Sequence, residues 1–352
     1  MIKNVLVDFS ELGTFCGFGE IARNYAPRLA DTHIDNIHWV FLVPEKYVGA
    51  FGDHISYVRR DKEELDLRRL NLHIDLWHAS HQLFRFRGGD KDTIQLLTIH
   101  DLNFLREKKG WHKWRHIIRL GWRIKKSDCL TFISKYVEQD VNEHYHLNDM
   151  PESVIYNGVD CQEDGEQRKP SFISDENEPF FFTIGQIREK KNFQKLVPMM
   201  KHLPDYKLYI CGDDHFHFTK KLRRQIAAEG EGRVLLTGKI TNEEKRWLYS
   251  HSAAFLFPSR LEGFGIPVLE AMRFRCKVFS SRMSSLPEVC GKHATYWDSF
   301  EPSEMAEVVR AGIDGWQRDG QAATEALQYS YGFNYDQYTE EYVQLYRQLL
   351  GC

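Results

Sequence analysis

Short apolar runs rich in β-branched and aromatic residues alternate with longer stretches of helical periodicity along the whole chain. The runs predict strands near 3–9, 37–43, 74–79, 94–99, 129–133 and 153–156. A second series follows near 180–184, 207–211, 233–237, 253–257, 277–280 and 293–297. These runs are continuous rather than alternating, so each strand is expected to be covered on both faces, as in a parallel sheet sandwiched by helices. Two series of six predict an α/β protein built from two doubly wound domains in tandem.

The break between the series is visible as residues 160–179, polar, acidic and without periodicity, the composition of a surface linker. The expected domains are 1–165 and 175–325, with a C-terminal helix in 326–352 that packs back towards the first. Tyr335, Tyr338, Tyr342 and Tyr346 are spaced three and four apart in that last segment, the stripe by which a helix joins a core.

Whole-chain properties narrow the function. A length of 352 residues fits two domains. Lys plus Arg total 47 against 50 for Asp plus Glu, a formal charge of −3, so bulk nucleic-acid binding has no support and no nucleic-acid partner is expected. The seven cysteines, at 16, 129, 161, 211, 276, 290 and 352, form no close pair, which fits reduced thiols in the cytoplasm. The opening Met1–Phe9 has too short an apolar run for a signal peptide, and no run of eighteen apolar residues occurs.

The segment with the most chemistry is PSRLEGFGIPVLEAM, 258–272. Pro267 suits the first turn of a helix, where its missing N–H is not needed. Gly263 and Gly265 just before it let the backbone approach a ligand, and the helix start offers N–H groups and a positive dipole end. Glu262, in the loop, and Glu270, read as lying in the first helical turn, are eight residues apart. Carboxylates would repel a phosphate there, but they can accept hydrogen bonds from sugar and ribose hydroxyls. Upstream, FFTIGQIREKKN (181–192) reads as a strand, a glycine turn and a basic cluster. Lys190 and Lys191 at a strand end are suited to neutralising a departing diphosphate.

The 258–272 segment closely resembles the signature of family 4 of the retaining glycosyltransferases, which have the two-domain GT-B fold. The resemblance implies that Glu270 binds the donor ribose and Glu262 the transferred sugar, with the amides of Gly263, Phe264 and Gly265 lining the sugar pocket. SSLPEVCG (284–291) resembles the stretch that follows this signature. Lys191 matches the family's phosphate-binding lysine and Lys190 a frequent arginine position. Some members carry an arginine directly after the glycine, where this chain has Gln186; Arg188 is the candidate substitute. CGFGEIARN (16–24), with Gly17 and Gly19 on a loop opening a helix, resembles the glycine-rich loop over the donor phosphates. TIHDLNFL (98–105) places His100 at a strand end, and the resemblance implies that it hydrogen-bonds the donor sugar. FISKYVEQDV (132–141) and VIYNGVD (154–160) complete the set, with Asn157-Gly158 read as a turn. One departure is Arg273-Phe274-Arg275-Cys276-Lys277, where the family has a small glycine-containing turn.

The reaction so implied is a metal-independent transfer of a hexose from a nucleotide diphosphate sugar with retention of configuration. Mannose from GDP-mannose is favoured because the T-I-G-x-I-x-x-K-K-N pattern resembles members that use it, with UDP-hexoses left open since no motif fixes the base-contacting residues; the acceptor is a glycan or lipid-linked. Surface polysaccharide or lipopolysaccharide synthesis is the expected setting. No metal and no cofactor are expected. An inactive nucleotide-sugar-binding subunit is the alternative, opposed by the presence of both glutamates. A dinucleotide oxidoreductase is opposed by Ala22 at the third glycine position and by the lack of a ribose-binding acid at the end of the second strand, where 37–43 is followed by Pro44-Glu45-Lys46.

Residues 107–126 (EKKGWHKWRHIIRLGWRIKK) stand apart. On a helix, Trp111, Trp114, Ile118 and Trp122 share a ridge, beside Ile117 and Ile124, with Arg115, Arg119, Arg123 and Lys126 on the opposite arc. The pattern predicts either a helix lying in a membrane interface or one packed on its own sheet with its basic residues in water.

Overall fold

The computed structural model describes residues 2–14, 17–60, 72–83, 90–161 and 163–352. The chain forms two compact units, Met1–Asp160 with Phe333–Cys352, and Cys161–Gly332. The acidic 160–179 segment therefore belongs, from Cys161 on, to the second unit.

The first unit is built on a parallel sheet of seven strands: β1 (Lys3–Asp8), β2 (Ile37–Val43), β3 (Ser56–Arg59), β4 (Leu76–Ala79), β5 (Ile94–Ile99), β6 (Cys129–Phe132) and β7 (Glu152–Val154), in the order β3-β2-β1-β4-β5-β6-β7. Six of these coincide with predicted strands. The seventh, β3, has the sequence SYVR; only Val58 is buried, so this outer strand never produces an apolar run. By contrast β2, IHWVFLV, is buried at every position but one, as a strand covered on both faces must be. Helices α1 (Gly17–Ala30), α2 (Phe104–Glu107), α3 (Gly110–Lys125) and α4 (Lys135–His144) connect these strands.

The second unit carries β8 (Phe180–Ile184), β9 (Lys207–Cys211), β10 (Val234–Gly238), β11 (Ala254–Phe257), β12 (Val278–Ser281) and β13 (Thr295–Trp297), ordered β10-β9-β8-β11-β12-β13 and all parallel. The order reverses at β8, so the crevice beside its carboxyl end is where an open α/β sheet takes its ligand. Around the sheet lie α5 (Leu196–Met199), α6 (Phe218–Glu229), α7 (Asn242–His251), α8 (Ile266–Arg273), α9 (Leu286–Cys290), α10 (Pro302–Ile313) and α11 (Gln321–Tyr331). Thr241 starts α7 with a capping box: its hydroxyl accepts from the Glu244 amide, and the Glu244 carboxylate accepts from the Thr241 amide.

The last helix, α12 (Tyr335–Leu350), lies in the first unit and buries the tyrosine stripe. Tyr346 Oη is 2.6 Å from His78 Nδ1 and 2.8 Å from Tyr25 Oη, while Tyr342 Oη reaches Thr98 Oγ1 at 2.9 Å and Thr131 Oγ1 at 3.1 Å. A Cβ on Gly158 would sit 2.6 Å from the Tyr335 ring, so the Asn157-Gly158 turn is glycine because the helix docks against it. In the remodelled turn after α8, Arg275 holds φ of 52°, a left-handed conformation that costs a non-glycine residue about 1–2 kcal/mol.

Candidate active site

The carboxyl edge of the second sheet brings together most of the residues singled out in the sequence. The loop leaving β8 begins at Gly185, whose φ of 154° only glycine adopts comfortably. A Cβ on Gly212, after β9, would meet the Gly185 carbonyl at 1.9 Å, so the two loops run backbone against backbone. The chain then makes a single 3-10 turn, Glu189–Lys191, that closes on Asn192 at φ of 60°. This aims Lys191 at the loop leaving β11. Lys191 Nζ lies 2.6 Å from Glu262 Oε1 and 5.1 Å from the centre of the Phe257 ring. The Arg260 amide donates to the Lys190 carbonyl at 2.8 Å and so ties the two loops together.

The loop carrying Glu262 is held by three serines, one ending β12 and two just after it. Ser284 Oγ accepts from the Glu262 amide at 3.0 Å, Ser285 Oγ donates to the Phe264 carbonyl at 2.8 Å, and Ser281 Oγ donates to the Ser259 carbonyl at 2.5 Å. Ser284 and Ser285 open the SSLPEVCG stretch, so that segment supports the glutamate loop. Gly265 ends the loop at φ of 118°, and a Cβ there would collide with Leu286 at 2.8 Å. Pro267 follows at the helix start, as read from the sequence.

Glu270 lies in the second turn of α8, not the first, and this turn buries it to 3% exposure. Both of its oxygens are engaged: Lys245 Nζ is 2.5 Å from Oε1 and Tyr249 Oη 3.0 Å from Oε2. Burial next to this carboxylate pushes the Tyr249 phenol well above its ordinary range, so it stays a neutral donor. Lys245 and Tyr249 were not picked out in the sequence. The available signal is their i,i+4 spacing on α7, which sets both on one face. The Arg188 guanidinium lies 5.4 Å from the centre of the Phe216 ring, in the loop after β9.

In the first unit, Gly17 and Gly19 occupy the first turn of α1 rather than a loop before it. Cys16, which opens the quoted motif, lies outside the described residues. A Cβ on Gly19 would sit 2.1 Å from the Thr14 carbonyl, whereas nothing lies within 4 Å of one on Gly17. Gly19 is thus required by packing and Gly17 is not. His100 stands just past β5, 6% exposed, with Nε2 2.8 Å from the Ser80 carbonyl. A carbonyl only accepts, so Nε2 carries the proton and Nδ1 can only accept from a hydroxyl. Burial lowers the His100 pKa and keeps the ring neutral. Phe18 packs edge-on to His100 and stacks on His81, each at 4.7 Å.

Two acid–histidine groups cluster among the described residues, Asp140-Glu143-His144 and Asp213-Asp214-His215. Asp140 is held by both Arg106 nitrogens at 2.7 and 2.8 Å, Asp213 by His215 and Lys239, and Asp214 by Arg223, so these carboxylates serve ion pairs.

A doubly wound sheet with a glycine-bounded basic turn, a helix start and two glutamates at its switch point, in one chain with a second such sheet, defines a glycosyltransferase of the GT-B fold. Profile comparisons agree. Glycosyl transferases group 1 matches residues 164–327 and Glycosyltransferase Family 4 matches residues 20–163. The chain belongs to the group 1, family 4 glycosyltransferases.

Among curated relatives, an uncharacterized 41.2 kDa protein in the cps region of Klebsiella pneumoniae is 25% identical over 75% of this chain and 74% of its own length. The O-antigen chain mannosyltransferase RfbU of Salmonella typhimurium is 28% identical, over 57% of this chain and 56% of its own length. Among solved structures, a sucrose-phosphate synthase of Thermosynechococcus elongatus superposes with a TM-score of 0.76 at 15% identity, covering 99% of both chains. Anabaena Alr3699/HepE in complex with UDP and glucose gives a TM-score of 0.72 at 16% identity, covering 98% of this chain and 99% of that one. At such identities the likeness is one of fold. Among the described residues no helix is long and apolar enough to cross a membrane.

Proposed function

We propose that this glycosyltransferase moves a hexose, mannose from GDP-mannose in the favoured reading, onto a glycan or lipid-linked acceptor with retention of configuration. The setting is surface polysaccharide or lipopolysaccharide synthesis on the cytoplasmic face of a membrane. The observation that carries the reading is the Lys191–Glu262 pair beside the start of α8, with Glu270 buried one helical turn further on. In this reading the diphosphate lies against Lys190, Lys191 and the α8 start, where cations and aligned amides stabilise charge growing on the leaving group. Arg188 and the α1 start at Gly17 and Gly19 add to the phosphate contacts.

Glu270 accepts from the ribose hydroxyls; its two oxygens offer about four acceptor sites, so Lys245 and Tyr249 do not exhaust them. Glu262, the amides of Gly263–Gly265 and the acceptor nitrogen of His100 orient the sugar. No metal ion is needed for charge already met by lysines. Mannose is favoured by the resemblance to the O-antigen mannosyltransferase; the UDP-bound fold neighbour makes UDP-hexoses the competing donors.

A thermal-shift panel of GDP, UDP and ADP with their sugar conjugates, with and without EDTA, tests this. A nucleotide at a hundred times its Kd stabilises by about 2.7 kcal/mol. A shift with GDP alone, unchanged by EDTA, supports the reading; a shift only with UDP moves the donor class, and a shift abolished by EDTA removes metal independence. The NMR coupling of the product's anomeric proton distinguishes retention from inversion.

A further inference from the structure

The helix α3 has a second apolar face that its fold does not use. Leu120 and Ile124 are buried, a Cβ on Gly121 would sit 3.4 Å from the Tyr145 ring, and His116 stacks on Phe104 at 5.3 Å. Arg123 turns inward as well, its guanidinium donating to the Gln82 and Leu83 carbonyls, rather than joining a solvated basic arc. The tryptophan ridge points the other way: Trp111, Trp114, Ile118 and Trp122 are 71, 60, 60 and 54% exposed. A helix packed on its sheet through the tryptophans is thereby excluded.

At 100° per residue the four ridge residues fall within an arc of about 80°. Exposed Lys125 falls within it, and exposed Arg115, Arg119 and Lys126 extend it on one side, adjoining the ridge rather than lying on the opposite arc that the sequence pattern suggested. Between Gly110 and Lys125 the helix has no acidic residue, in a chain whose net charge is −3. The cations are thus a local feature of this face.

We infer that this face docks on an anionic lipid bilayer, with the indoles and Ile118 at the level of the headgroup–acyl boundary and the cations against lipid phosphates. Amphipathic tryptophan rings favour that boundary, and flanking Lys and Arg gain from an anionic surface. A second copy of the chain fits the face poorly. A two-fold contact through it would set Arg115, Arg119, Lys125 and Lys126 against their own counterparts. Docking adds to the transferase reading by bringing the enzyme to the surface that presents a lipid-linked acceptor, but the two can fail separately.

The test is co-sedimentation of the full chain, without donor, with phosphatidylcholine vesicles containing or lacking phosphatidylglycerol. Binding is expected to need phosphatidylglycerol, to weaken with salt and to shift tryptophan emission to the blue. The W111S/W114S/W122S variant should lose it while melting at the wild-type temperature, since these side chains stand in solvent. R115Q/R119Q should bind about thirtyfold more weakly, from about 1 kcal/mol per cation. The proposal is overturned if wild type ignores the anionic vesicles, or if the tryptophan variant binds them as well as wild type. A dimer in sedimentation that the same variant dissociates, without vesicle binding, also overturns it and makes a second copy the occupant.

Discussion

Lys191 Nζ stands 2.6 Å from Glu262 Oε1, and the two side chains, 14 and 12% exposed, come from the loops after β8 and β11 on either side of the switch point. A diphosphate arriving at Lys191 competes with Glu262 for the same ammonium group. Removing the Glu262 charge therefore separates binding from transfer. Glu262→Gln should bind nucleoside diphosphate at least as tightly as wild type by calorimetry, while its transfer rate falls about a hundredfold, the loss typical of one group acting on the transition state. Lys191→Met should weaken the same binding about ten- to hundredfold, the worth of a charge-assisted hydrogen bond. A Glu262→Gln variant that loses nucleotide in step with activity would instead make Glu262 a diphosphate-site residue.

Glu270 holds a buried cation as well as any ribose, so its removal has two effects. Glu270→Ala leaves Lys245, 17% exposed, without its carboxylate, and breaking such a pair costs about 3–5 kcal/mol. Adding Lys245→Met should restore most of that stability in urea melts and restore none of the nucleotide binding. Recovery of both would show that Glu270 matters only for folding.

The strands were legible because a doubly covered strand must be apolar along its length, and β8 (FFFTI) and β11 (AFLF) state this plainly. The strand β3 was not, since an outer strand with one buried side chain resembles a loop. Glu262, Lys191 and the glycines could be found because each lies in a contiguous motif. Lys245 and Tyr249 reach Glu270 from another helix, and no local pattern announces a partner 25 or 21 residues away. The α3 ridge shows a different limit. Its sequence has two apolar arcs, Trp111/Trp114/Ile118/Trp122 and Leu120/Ile124, and periodicity does not say which of them meets the sheet.

Gly17 and Gly19 separate a packing requirement from a functional one. A Cβ at Gly19 would lie 2.1 Å from the Thr14 carbonyl, so Gly19→Ala must move backbone and should cost about 1–3 kcal/mol. Gly17→Ala meets nothing within 4 Å, and alanine's helix preference should stabilise α1 by up to about 1 kcal/mol. Paired melting and transfer assays read this out. If the start of α1 approaches the donor phosphates, Gly17→Ala loses transfer activity although its stability is intact; full activity would remove Gly17 from the donor site.

The pH dependence of stability should be set by groups buried at the carboxyl half of the first sheet. Burial raises Asp8 to about 7, and burial lowers His78 and His81 to about 3 each. Below pH 6.5 the unfolded chain protonates both histidines, which the folded chain holds neutral, so stability is lost as pH falls towards 3. Asp8 acts in the opposite sense: between about pH 4 and 7 the folded state keeps a proton that the unfolded state has released, so stability is lost as pH rises through 7. One proton offsets two, leaving a net uptake on unfolding of about one between pH 4 and 6.5, or about 1.4 kcal/mol per pH unit. The lowered His100 adds to the histidine side. Asp8 Oδ1 accepts from the Ser10 amide at 2.8 Å and Oδ2 is buried without a hydrogen-bond partner, so Asn fits the site with its carbonyl on Ser10. Asp8→Asn should thus be more stable than wild type at pH 8, by roughly 2 kcal/mol or more, and fall more steeply below pH 6.5, with the offset gone. Urea melts from pH 4.5 to 8 measure both slopes. Parallel wild-type and variant curves would mean that Asp8 is ionised in the folded protein, its charge met by Arg60.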